Sequence, residues 1–259
     1  MRRRLVLLTG LLAVSAAQAA GAQQTNLTPA ATTPGDARIY PESKFYFFAR
    51  DGADNVLELE QRITYGFGGR SAGWLEVPYD FDEGIGDARI GFKHRFLQAD
   101  TGSVDTLRAA VYGGVELPTG EELISTDSVD PFLGATVTSI SGRFGWNAAA
   151  TVHHVGDDAP IQRSPKDVDG TLFHGSGSLA WRVAPVEYSS AFVAASYLVL
   201  DANAYLGGSG NTEVWLAPGF LYEAPDFALE LSFMLPVSED IEGRPERDYG
   251  VLAGLRLLF

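Results

Sequence analysis

The sequence predicts an all-β chain: a closed antiparallel transmembrane β-barrel of about twelve strands in a bacterial outer membrane, with both termini periplasmic. Three observations carry this. The chain ends Gly250-Val251-Leu252-Ala253-Gly254-Leu255-Arg256-Leu257-Leu258-Phe259, a strand-like segment whose terminal aromatic is of the kind that barrel-assembly machinery reads. It begins like an export signal, with Arg2, Arg3 and Arg4 ahead of the apolar run Leu5 to Val14 and small-residue cleavage sites up to Ala22. Between the ends apolar and polar residues alternate, and no later stretch reaches the roughly eighteen consecutive apolar residues of a membrane helix. A chain that spans lipid without helices must close its sheet, because hydrocarbon offers no partner to an unpaired edge.

The organisation follows from these signals. Residues 1–22 form a signal peptide, 23–42 a short flexible or plugging segment, and 43–259 the barrel. The net charge of −14 becomes −17 once the three signal arginines leave, which argues against nucleic acid as a partner. The expected partners are outer-membrane lipids, the barrel-assembly machinery and a small-molecule solute. Cysteine is absent, as suits an oxidising compartment.

Residues 87–97 show the strand period most clearly. Ile90, Phe92 and Phe96 fall on one side and Asp87, Arg89, Lys93 and Arg95 on the other, a separation that a period of 3.6 would scatter. The same pattern places strands at 43–51, 54–67, 71–80, 87–97, 106–117, 129–140, 143–155, 170–183, 187–201, 211–223, 226–237 and 246–259. Tight turns are expected at Gly68-Gly69, Ser141-Gly142, Ala184-Pro185 and Ala224-Pro225, with longer polar loops at the opposite end. Gln98 to Asp105 is long for a turn of the tight set. Two aromatic girdles are expected, one including Phe67, Phe96, Phe144, Trp146, Trp181, Tyr222 and Phe227, the other Tyr79, Phe81, Phe132, Phe173 and Tyr249.

By parity, Glu58, Glu60, Arg62, Trp74, Glu76, Arg89, Lys93, Arg95, Arg108, Tyr112 and Glu116 face the lumen, where opposite charges on neighbouring strands can pair, narrow the pore and set its selectivity. The ninth expected strand is apolar on both faces, so Val193 and Tyr197 are candidates for an apolar path. Acidic loop clusters lack calcium-loop spacing, so no metal site is assigned, and no cofactor is expected. His174-Gly175-Ser176 puts an imidazole and a hydroxyl on one strand face, a pairing that can activate a serine. Parity turns both into the lumen, away from acyl chains, and Asn147 would orient the histidine only in a suitable register. His94 falls on the lipid side.

The run Gly84-Ile85-Gly86-Asp87-Ala88-Arg89-Ile90-Gly91-Phe92-Lys93-His94-Arg95-Phe96, followed by Leu117-Pro118-Thr119-Gly120, resembles the outer-membrane transporters associated with meta-pathway phenol degradation. In that family a G-x-G-D turn leads into x-x-G-x-K-x-R-x and the next strand closes with L-P-T-G. The resemblance implies an outer-membrane channel or transporter for small hydrophobic or aromatic solutes, passive or gated, and brings no catalytic residues. The alternatives are an outer-membrane lipid hydrolase using His174 and Ser176, or a structural barrel without transport. Deleting Phe259 is expected to lower the heat-modifiable folded form in outer-membrane fractions, as read on unboiled gels.

Overall fold

The computed structural model describes residues 24–102, 104–121, 124–156, 170–187, 194–208, 210–241 and 245–258. The signal peptide, Phe259 and Val193 lie outside the described residues. Twelve long strands and one two-residue strand run in chain order: β1 (Ile39–Arg50), β2 (Val56–Phe67), β3 (Ser71–Asp80), β4 (Gly84–Ile85), β5 (Ala88–Asp100), β6 (Thr106–Leu117), β7 (Asp130–Ser141), β8 (Phe144–Val155), β9 (Gly170–Ala184), β10 (Ala195–Gly207), β11 (Thr212–Glu223), β12 (Phe227–Asp240) and β13 (Arg247–Leu257). Every long strand pairs antiparallel with its chain neighbour, β3 passing directly to β5, and β1 pairs with β13. The sheet therefore closes into a twelve-stranded barrel.

The period-two sequence sets which side is which. On β5, Ile90, Phe92 and Phe96 are 47–60% exposed while Arg95 between them is 9% exposed. Leu133, Phe144, Leu179 and Leu231 are likewise outside, so the outer surface is an apolar coat and the inside is polar. Such a distribution inverts that of a water-soluble protein and suits a wall facing hydrocarbon.

β1 begins and β13 ends at the same end of the barrel, since Glu42 pairs with Arg256. The same end carries the hairpins at Gly68-Gly69 and at Gly142, whose φ values of 61, 73 and 58 degrees suit the twist of a tight β-hairpin. This is here called the turn end, and the opposite end the loop end.

Four differences from the sequence reading have physical causes. β1 begins at Ile39, because Ile39, Tyr40 and Pro41 find partners in Tyr65, Thr64 and Ile63. The connection 101–105 is short because β5 continues past Phe96 through a bulge between Arg95 and Leu97. Ala184-Pro185 is not a tight turn: β10 starts only at Ala195 and extends to Gly207. Asp201, where the expected strand ended, and Asn203 beyond it are buried interior positions of that strand. Phe132 belongs to no outer girdle; it is 7% exposed and lies inside, 6.2 Å ring to ring from Trp74.

Asp87 ties the two motif segments together at the loop end. Its Oδ1 accepts the backbone N–H groups of Thr119 and Gly120 at 3.0 and 2.9 Å and the Ser125 hydroxyl at 2.8 Å, and its Oδ2 accepts Thr126 N–H at 2.8 Å. A carboxylate with several donors fixes a loop firmly, each charge-assisted bond contributing roughly 1.5–3 kcal/mol. Asp87→Ala is expected to free the loop around Glu121 by roughly 2 kcal/mol or more, seen as faster cleavage by a Glu-specific protease with the barrel still heat-modifiable.

Candidate functional site

The interior is built from consecutive rungs of the sheet, because side chains in register across several strands share one level. Glu42, Arg62, Glu76, Arg89 and Glu116 are such a rung, running through β1, β2, β3, β5 and β6. Glu76, 1% exposed, stands between two guanidinium groups: Arg62 Nε donates to its Oε2 at 2.7 Å and Arg89 Nη1 to its Oε1 at 2.6 Å. Arg89 also donates to Glu116 from Nε and Nη2, at 3.0 and 2.9 Å. A second node joins Lys44 to Glu42 at 2.9 Å and Arg256 to Glu230. Glu60 lies 3.8 Å from Arg62, and Glu58 is half-buried opposite Tyr46 and Asp80. Buried charges need this degree of pairing to offset their desolvation.

Aromatic rings line part of the interior. Trp74 lies over Gly91, where a Cβ would come 2.1 Å from the indole, and Phe132 lies over Gly114. Tyr112 covers Gly134 and shares a 2.5 Å hydrogen bond with Thr151. Glycine at these rungs lets the rings lie against the wall. Across the barrel Phe48, Val56, Trp215, Ala217, Met234 and Leu252 form a buried apolar cluster. Sequence reading missed this cluster, although the run Phe45 to Ala49 is apolar on both faces in the same way as the ninth expected strand. Tyr197 belongs to a smaller group with Ala195, Val199, Leu221 and Ala228.

Lys93, Arg95 and Arg108 have different surroundings. Among the described residues no carboxylate lies within 4.0 Å of Lys93 or Arg95; Lys93 Nζ donates to Ala30 O at 2.9 Å and Arg95 Nη2 to Gly69 O at 2.7 Å. Arg108 is 7% exposed, donates from Nε to Thr106 Oγ1 at 3.2 Å and reaches Asp100 only at 3.9 Å.

The segment before β1 lies inside the barrel. Asn26, Ala30 and Ala31 are fully buried. Thr28 donates to Asp201 Oδ1 from its backbone N–H at 3.2 Å and its hydroxyl at 2.8 Å, and Thr25 donates to the same oxygen at 3.1 Å. Asn26 Nδ2 reaches Ser232 Oγ at 2.6 Å beside Gly219, while Lys44 Nζ donates to Asn26 O at 2.9 Å. Thr136 donates to Pro29 O at 2.7 Å, and Ala31 N–H to Thr138 Oγ1 at 2.8 Å. Leu27 packs on the apolar cluster around Phe48 and Trp215. The segment thus touches β1, β5, β7, β10 and β12 from within.

The surroundings of His174 come from the neighbouring strand β10. His174 Nε2 lies 3.0 Å from Asn203 Oδ1, and its ring stacks on Tyr205 at 4.2 Å. Asn147 does not orient it: register sets Thr151 opposite His174, and Asn147 bonds Thr138 and Ser178 instead. His94 is exposed on the outer face, 2.9 Å from Ser71 Oγ.

No model of a known protein family matches the chain, and no curated protein is significantly similar. Among solved structures, an outer membrane channel from Pseudomonas putida F1 is similar at TM-score 0.60 and 12% identity over 88% of this chain and 98% of that one. A bacterial polysaccharide outer membrane secretin and LpxR from Salmonella typhimurium each align with TM-score 0.46 and 9% identity, over 86% and 84% of this chain and 99% and 100% of theirs. The first likeness is one of fold, and it agrees with the closed sheet and its apolar coat: the chain is a β-barrel of the bacterial outer membrane.

Glu76→Ala is expected to destabilise the barrel by about 3–5 kcal/mol, because Arg62 and Arg89 would face each other uncompensated. Urea unfolding of the protein refolded in vesicles measures this, and Glu76→Gln, which keeps an acceptor oxygen for one of the two guanidinium groups but no charge, is expected to cost less.

Proposed function

We propose that the barrel is a gated conduit for small hydrophobic or aromatic solutes, with residues 24–34 as the gate. The observation that carries this reading is the way the segment is held. It crosses the interior on side-chain bonds to Asp201, Ser232, Lys44, Lys93, Thr136 and Thr138 and does not join the sheet. Each such bond contributes only about 0.5–1.5 kcal/mol net when neutral, somewhat more when charged, and water can replace its partner. The segment can therefore leave without opening one rung of the barrel.

The wall left behind supports the solute class. Rings at Trp74, Phe132, Tyr112, Phe48 and Trp215 offer dispersion contacts to an apolar or aromatic body. A sugar gains little from them and loses its hydration. The paired lattice around Glu76, on the same strands as Trp74 and Tyr112, narrows the interior and holds the wall rigid. Transport here needs no reaction chemistry, so the protein acts as a non-catalytic channel, with its turn end periplasmic as the termini suggest.

Deleting residues 24–34 is expected to raise single-channel conductance and the flux of a phenolic compound into proteoliposomes, with a smaller gain for a sugar of similar size. A barrel as silent without the segment as with it would make a purely structural role the better description.

A further inference from the structure

We infer that the solute is an aromatic acid in its anionic form, and that Lys93, Arg95 and Arg108 are the seat of its carboxylate or sulfonate; this rests on the conduit reading and names its cargo.

Charge pairing inside the barrel is asymmetric. Arg62, Arg89, Arg247 and Arg256 each lie within 4.0 Å of a glutamate inside the barrel. Lys93 and Arg95 have carbonyl oxygens as acceptors, Arg95 Nε is buried with no acceptor, and Arg108 has a hydroxyl close by and a carboxylate only at 3.9 Å. Arg95 and Arg108 are nine-tenths buried or more. Three cations are thus concentrated on two adjacent strands of a chain whose net charge is −14, with Lys93 and Arg95 two residues apart on one face and Arg108 paired with Gln98 beyond the bulge. Buried cations held by neutral acceptors retain much of their capacity for an anion, and a carboxylate is a stronger acceptor than the amide oxygens they now use.

The position of the rings supplies the rest of the ligand. Lys93 is directly paired with Tyr112 and stands two residues from Gly91, over which Trp74 lies. Two residues of strand span about 7 Å, close to the length of a benzene ring with one acidic substituent. An aromatic acid lying along β5 would therefore set its ring against Trp74 and Tyr112 while its anionic group reaches Lys93 and Arg95. Arg108 stands next towards the turn end and would receive the group on its way out. Lys93 also holds Ala30 of the segment, so a solute that recruits its ammonium removes one of the bonds that keep the segment in place.

The test uses two permanently charged aromatics of similar size that do not cross lipid unaided, benzenesulfonate and phenyltrimethylammonium. Flux of each is measured in proteoliposomes holding the full mature chain and, in parallel, the chain without residues 24–34. Benzenesulfonate is expected to cross faster, and Arg95→Gln with Arg108→Gln is expected to lower its flux about tenfold while leaving the cation's flux unchanged or raised. Arg95→Lys, which retains charge, should restore part of the difference, and heat-modifiability confirms that each variant is folded. Equal flux of the two ions, or no response to the arginine substitutions, overturns the anion seat and leaves the conduit standing. If neither ion nor a neutral phenol crosses even without the segment, the conduit reading falls, and this inference with it.

Discussion

A backbone amide in hydrocarbon has no water to turn to, and this single constraint orders the structure. It is met by closure: β1 hydrogen-bonds to β13 and the sheet keeps no edge. Closure in turn gives every strand an inner and an outer face at strict period two. Large apolar residues go outward to lipid, which removes from the interior most of the side chains that would fill a soluble core. What occupies the inside must then be polar and mutually satisfied, or aromatic and supported by the wall.

Twelve strands enclose a space too wide for opposing side chains alone to fill and narrower than that of the large porins. The interior resolves this in three ways. Long charged side chains reach sideways along rungs, with Glu76 as the shared partner of Arg62 and Arg89. Rings lie flat where Gly91, Gly114 and Gly134 remove a Cβ from beneath them. The remaining space takes a piece of the chain itself, whose small residues Thr25, Asn26, Thr28, Ala30 and Ala31 suit a crowded lumen. That piece is bonded to side chains of the wall and adds no rung to the ladder that closes the barrel.

The two sequence motifs also acquire a common cause. Gly84-Ile85-Gly86-Asp87 and Leu117-Pro118-Thr119-Gly120 lie far apart in sequence, yet Asp87 accepts the backbone donors of Thr119 and Gly120. The glycine at 120 is required by proximity as much as by turn geometry, since a Cβ there would come within 3.0 Å of the Asp87 backbone. The paired motifs therefore describe a loop clamp above the aromatic wall and say little directly about cargo.

Alternation, with the terminal aromatic strand and the export signal, determined the fold class; alternation by itself gave the count of long strands and the inward parity of residues such as Glu76, Arg89 and Tyr112, because period two is a local property that every residue reports. It also exposed the apolar coat, as Ile90, Phe92 and Phe96 show. Parity could not choose partners, since these depend on register between strands and on the stagger of a closed sheet. That is why Asn147 met Ser178 and not His174. It also misplaced β10, which was expected over 187–201 and runs from Ala195 to Gly207. Only the tertiary structure supplies the reason that the Asp201 carboxylate can stay in that wall: Thr25 and Thr28, over 170 residues earlier in the chain, donate hydrogen bonds to it from within the barrel.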